Sequence, residues 1–244
     1  MVDFYFSYRS PYSYFILPRV INLKAQGITI NFKLVYPLAI RQPSFFKGKN
    51  FITYFSHKIL DMRSVAKQQG MPFFIPKPDP IKQNIFTGKV NEHQPYIYDL
   101  CHLGQQAHNE GFGIELAYEI SSMIFGTKKG WNEEQNLIKA CKNVGLDYLE
   151  LSKNAKMNEK DLVKQIEQNQ HDQREAGHHG VPGLVYKDHY YFGQDKFNEF
   201  KQALINDDLL NFKLRKFLFK NLISLFLLHF FFAFFIIGNT SSIP

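Results

Sequence analysis

Between Ile28 and Leu34 apolar and polar residues alternate: Ile28, Ile30, Phe32 and Leu34 face one way, Thr29, Asn31 and Lys33 the other. A period of two predicts a β-strand. An apolar run over Val2–Phe6 predicts a strand before it. The segment between the two has the marks of a helix. Ser10 suits an N-cap, Pro11 has no amide hydrogen to lose in the first turn, and Gly27 suits a left-handed stop after Gln26. Pro18 lies inside this helix and is expected to kink it. Strand, helix, strand in this order predicts a right-handed parallel crossover.

The pattern then changes. Helical spacing dominates 51–69, 95–110, 114–125, 132–144 and 159–176, with Asn132 and Gln135 arranged like a capping box. A stiff loop over 71–80 holds Pro72, Pro76, Pro78 and Pro80. β pattern returns at Leu184–Tyr186, turns at Lys187-Asp188, and runs back through His189–Phe192 into a last helix, Lys196–Ile205. The expected fold is α/β: a thioredoxin-like core (1–50 and 177–208) interrupted by an all-helical insertion (51–176), with a hydrophobic tail over 209–244.

The tail has two readings. Asn221–Ile237 carries no formal charge, and Lys213, Arg215, Lys216 and Lys220 precede it. At ~1.5 Å per residue the run just covers the ~30 Å of a bilayer core. It is either a C-terminal membrane anchor with its basic side in the cytoplasm or a non-native extension.

Composition narrows the function. The chain has 244 residues, 45% hydrophobic and 21% charged, which is globular rather than disordered. Its net charge of +7 is spread over the chain until the tail, with no basic stripe interleaved with aromatics, so no nucleic-acid partner is expected. A homodimer is compatible with this composition. The start runs straight into Asp3-Phe4-Tyr5-Phe6 without a basic n-region, so no signal peptide is expected and the location is cytoplasmic unless the tail anchors it. The two cysteines, Cys101 and Cys141, form no C-x-x-C and read as buried, inert thiols in a reducing compartment. His178 and His179 have no second ligand pair at a metal-site spacing, so they read as a loop after a helix and no metal is expected.

Asp3-Phe4-Tyr5-Phe6-Ser7-Tyr8-Arg9-Ser10-Pro11-Tyr12-Ser13-Tyr14 resembles the opening of the 2-hydroxychromene-2-carboxylate isomerases and kappa-class glutathione transferases, thioredoxin-fold relatives of the DsbA-type oxidoreductases. Gly180-Val181-Pro182 and Gly193-Gln194-Asp195-Lys196 resemble their second and third signatures. Tyr36–Arg41 and Gly70–Phe73 are also similar. The resemblance spans about 2–206.

It implies glutathione as cofactor and a small aromatic or electrophilic substrate. It implies that Ser10 stabilises the glutathione thiolate. Val181, before an expected cis Pro182, would pair its backbone with the cysteinyl part, and Gln194 and Asp195 would hold the γ-glutamyl end. Gln194 departs from the serine or asparagine common there. Lys47, Asn50 and Lys58 are candidates for the loop contacts. Tyr8, Tyr12 and Tyr14 are candidate pocket walls, and Arg41 a further pocket residue. A serine at position 10 cannot exchange disulfides. The expected activity is isomerisation, with a kappa-like transferase as alternative and a peptide-binding thioredoxin-like module as a second.

Overall fold

A computed structural model describes residues 1–46, 51–84 and 86–210. The sheet has four strands in the order β2-β1-β3-β4. β1 (Val2–Phe6) sits inside it, parallel to β2 (Ile30–Leu34) and antiparallel to β3 (Gly183–Tyr186), and β4 (His189–Phe192) closes the far edge. Both faces of β1 are covered, which is why it reads as a continuous apolar run rather than an alternation. β2 starts two residues later than its alternation suggests, because Ile28 still caps the preceding helix through its amide bond to the Leu23 carbonyl, 3.0 Å.

Helix α1 (Pro11–Ala25) makes the crossover. Ser10 is its N-cap and accepts the Ser13 amide on Oγ at 3.1 Å; Gly27 turns left-handed at φ +84°. The helix runs unbroken through Pro18 and buries Phe15, Ile16, Leu17, Val20 and Leu23 against the sheet and a later helix. Lys187 and Asp188 both take positive φ, 49° and 61°, as a two-residue hairpin turn between β3 and β4 requires.

Between β2 and β3 lie α2 (Leu38–Arg41), α3 (Phe51–Gln68), α4 (Ile97–Asn109), α5 (Gly113–Gly126), α6 (Glu134–Asn143), α7 (Tyr148–Met157) and α8 (Glu159–Glu175). The helical insertion expected from sequence is present. Two details differ. α6 begins at Glu134, and Gln135 donates to Glu133 (3.0 Å), so the Asn132–Gln135 capping box does not form. α7 was not expected at all. Asp147 caps it by accepting the Glu150 amide at 2.8 Å, and only Asn158 separates it from α8, so the two short patterns merge in the sequence.

α8 has a role that ordinary helix packing does not predict. It lies along the open edge of β2. Asn169 donates to the Leu34 carbonyl (3.0 Å), Gln170 accepts the Tyr36 amide (3.2 Å), and Lys33 pairs with Asp172 (2.7 Å). Side chains thus satisfy backbone groups that another strand would otherwise pair. The predicted tail over 209–244 lies, beyond Leu210, outside the described residues. Among those described, no helix is long and apolar enough to cross a membrane.

Candidate active site

A cleft of about 480 Å³ opens where the β1–α1 turn, the β2–α2 turn, α3, the proline loop and the segment before β3 converge. Ser10, Tyr12, Arg41 and Val181 all line it, as does Lys58. Five sequence candidates from four stretches of the chain are thereby brought together. Most of the remaining wall is apolar: Leu38, Ile59, Met62, Phe73, Phe125 and Phe192. Such a surface suits a flat ring system better than a polar chain.

One wall is made almost entirely by Ser7–Tyr12. Ser10 stands at the mouth of α1, where backbone amides and the helix dipole favour negative charge. Its Oγ accepts the Ser13 amide, and its hydroxyl proton has no acceptor among the described residues. Serine here is both a helix cap and an available donor. Arg9 reaches the other way and grips Asp79 through two bonds of 2.8 and 2.9 Å. Asp79 also accepts the Ile81 amide at 3.0 Å. This pins the proline loop over the cleft and consumes the charge of Arg9. Neither Arg9 nor Asp79 stood out in the sequence, since a lone arginine in a turn has no visible partner 70 residues away.

A second wall joins Arg41 to the α8–β4 region. Gln173, fully buried on α8, donates to the Gly180 carbonyl (2.8 Å) and the Tyr190 hydroxyl (2.6 Å), and accepts from Arg41 Nη1 (2.9 Å). Tyr190 donates to the same Gly180 carbonyl at 2.7 Å. Arg41 Nη2 donates to the His179 carbonyl. Its Nε is buried without a partner, and no carboxylate pairs with it among the described residues. Burial lowers its pKa to about 10, with Arg174 adding to the fall, so it stays charged at neutral pH. Burial also pushes the Tyr190 hydroxyl up, so it acts as a neutral donor.

Val181 is followed by a cis peptide bond to Pro182, and it makes no hydrogen bond among the described residues. Pro182 itself is buried behind the wall, and its carbonyl accepts the Gly193 amide at 2.8 Å. That bond sets the Gln194–Asp195 turn beside the cleft rather than on its lining. Gln194 is occupied: its Oε1 accepts from Arg19 (3.0 Å) and Gln69 (2.8 Å), and its amide donates to Asp195.

Two tyrosines correct the sequence expectation. Tyr8 is fully buried in the core, edge-on to Phe6 at 5.0 Å, and a Cβ on Gly104 would clash with its ring. Tyr14 stacks on Phe125 and points its hydroxyl at the Pro72 carbonyl. Neither lines the cleft: Tyr8 turns into the core just past β1, and Tyr14 lies on α1 where it packs against α5. Tyr12 does line it, bonded to Asp61 with Lys58 5.8 Å over its ring. Lys47 and Asn50 lie outside the described residues.

Both cysteines are buried away from the cleft. Burial pushes the Cys101 thiol far up and the Cys141 thiol to about 11. Neither supplies a thiolate at neutral pH.

The family model for the DsbA-like thioredoxin domain matches residues 1–205. The chain belongs to that family. No curated protein matches this DsbA-like domain in sequence. Among solved structures it is similar to a 2-hydroxychromene-2-carboxylate isomerase, at 18% identity and a TM-score of 0.64, over 87% of this chain and 98% of that one. It is also similar to a probable DsbA oxidoreductase from Streptomyces coelicolor, at 14% identity and TM-score 0.54, over 84% and 88% of the two chains. A third is the cytosolic disulfide reductase DsbM from Pseudomonas aeruginosa solved with GSH, at 12% identity and TM-score 0.53, over 84% and 98%. At these identities the likeness establishes the shared fold.

Proposed function

We propose that this DsbA-like domain binds glutathione and acts as an isomerase on an anionic, conjugated aromatic substrate of the 2-hydroxychromene-2-carboxylate type. The observation that carries the reading is Ser10: a hydroxyl with an uncommitted proton at a helix mouth, in a cleft that contains no cysteine. Glutathione, when bound, supplies a thiolate that adds reversibly to the substrate and leaves again.

The rest is the work of the chain's own residues. A thiol of pKa ~8.5 is only a few per cent ionised at neutral pH. Lowering it by two units needs about 2.7 kcal/mol. A hydroxyl bond to a charged group gives ~1.5–3 kcal/mol. The helix end adds ~0.3–1 kcal/mol. Ser10 combines both. The unpaired Val181 backbone suits the extended cysteinyl unit, as in strand addition. Asp195 would accept the α-ammonium of the γ-glutamyl end. Arg41 carries a positive charge without a carboxylate partner among the described residues and suits the substrate's own carboxylate. The apolar walls take its ring.

The isomerase neighbour and the GSH-bound neighbour support the reading at the level of fold. The test is a glutathione titration read by thiolate ultraviolet absorbance at neutral pH, with Ser10→Ala beside the wild type. A bound thiolate band in the wild type that falls at least tenfold in the variant is expected. Activity in Ser10→Ala within a factor of about two of wild type would remove Ser10 from the mechanism. Counting free thiols over many turnovers separates isomerisation, which conserves them, from a kappa-like transfer, which consumes them.

A further inference from the structure

His178 lines the same cleft as Ser10. Its Nδ1 faces the Gly180 amide at 2.8 Å. A backbone amide can only donate, so Nδ1 must accept, and the ring proton of the neutral imidazole must sit on Nε2. Nε2 has no partner among the described residues and is not buried. The ring is held by near-parallel packing on its neighbours: centroids lie 4.2 Å from Phe192, 4.9 Å from Tyr190 and 5.3 Å from His179. Gly180 makes this packing feasible, because a Cβ there would press into Phe192 and come within 2.8 Å of the His178 ring. Behind the ring, the Gln173–Tyr190–Gly180 network fixes the backbone that orients it. The arrangement is a rigid hydrogen-bond donor that no described residue uses.

We propose that His178 is a catalytic residue whose neutral Nε2–H donates to the substrate oxygen on which negative charge develops. The inference deepens the glutathione-dependent reading and rests on it. The hemiketal of 2-hydroxychromene-2-carboxylate opens first: its ring carbon–oxygen bond breaks, the hydroxyl proton passes to the ring oxygen, and a phenol bearing a conjugated enone results. As the carbon–sulfur bond then forms at the far end of that enone, the carbon–carbon π pair shifts and the carbonyl pair moves onto oxygen. His178 donates to that oxygen and keeps its proton. With the double bond reduced to a single bond, rotation becomes free. The oxygen pair then returns, the double bond reforms, and the carbon–sulfur bond breaks with its electrons on sulfur. No net oxidation occurs, and the one proton relocated is that of the hemiketal hydroxyl, which ends on the phenol. Burial, His179 and Arg41 all hold the His178 pKa below its ordinary value, in keeping with a neutral donor.

The test compares His178→Asn with His178→Gln in the full chain. Asparagine offers an acceptor to the Gly180 amide but no distal donor; glutamine reaches the Nε2 position with an N–H. Two readouts are used: isomerisation of 2-hydroxychromene-2-carboxylate with saturating glutathione, and equilibrium binding of 4-nitrophenolate, a non-reacting oxyanion. For His178→Asn, kcat should fall about 100-fold. Affinity for 4-nitrophenolate should fall about tenfold. The thiolate band should stay within a factor of about two of wild type, and His178→Gln should restore at least part of both losses. Equal behaviour of the two variants, whether both near wild type or both impaired, overturns the proposal. A wild type without a thiolate band defeats the glutathione reading instead, and the 4-nitrophenolate comparison still decides whether His178 donates.

Discussion

The two walls of the cleft are built on different principles. The Ser10 wall is local: Ser7 to Tyr12 are consecutive, and one strand-to-helix turn fixes them all. The His178 wall depends on a long-range tie: Arg41 reaches Gln173 across 132 residues, and Gln173 in turn joins Gly180 and Tyr190 through buried hydrogen bonds. The local wall therefore places chemistry at little structural cost, whereas the long-range wall is chemistry and stability at once. Changes on the first should reduce activity and leave the fold; changes on the second should move both.

The largest break in that contrast is Gln173→Leu. It strands Arg41 Nη1 and leaves the Gly180 carbonyl to Tyr190 alone in a buried setting, and urea unfolding should show a loss of about 3 kcal/mol. Next comes Arg41→Met, which removes the unpaired charge. KM for a carboxylate-bearing substrate should rise about tenfold or more, with a smaller effect on kcat. Ser10→Ala should cost only about 1 kcal/mol of stability, that of a lost N-cap, despite its larger effect on thiolate formation. Acid sharpens the distinction further. Burial depresses His102, His108 and His178 below their ordinary pKa. The unfolded chain then binds more protons than the folded one, so the stability these groups contribute is present above pH ~6.5 and is lost as pH falls through their folded values. Urea midpoints should drop between pH 7.5 and 5.5, and His178→Asn should flatten part of the drop. The smallest effect concerns the thiols: at pH 8 the native chain should react with a disulfide reagent far more slowly than the unfolded chain, and reductant should leave activity unchanged.

The same contrast explains what the sequence reveals. β1, α1, the hairpin and the Ser10 cap are set by neighbours along the chain, so their periodicity, cap residues and turn residues disclose them. The motif around Val181 is equally compact. Arg9 with Asp79, and Arg41 with Gln173, are pairings whose partners lie far away, and each residue alone looks like a surface charge or an amide on a helix. Tyr8 fails in the other direction. It sits next to Arg9 and Ser10 in sequence, but alternation past the end of β1 turns it into the core under Gly104. His178 was visible as half of a histidine pair two residues before Gly180; what the sequence lacked was the amide that fixes its tautomer.

The position of β1 has a consequence for synthesis. Its partner β2 follows after one helix, but Asp3 waits for Val185 and Phe4 for Leu184. At ~5–20 residues per second, a ribosome leaves that side of the central strand unpaired for roughly 10–35 s. During that interval a greasy ribbon with vacant amides and carbonyls is present on the nascent chain. Production of this protein should therefore depend on how fast its second half emerges and on what shields the first half meanwhile.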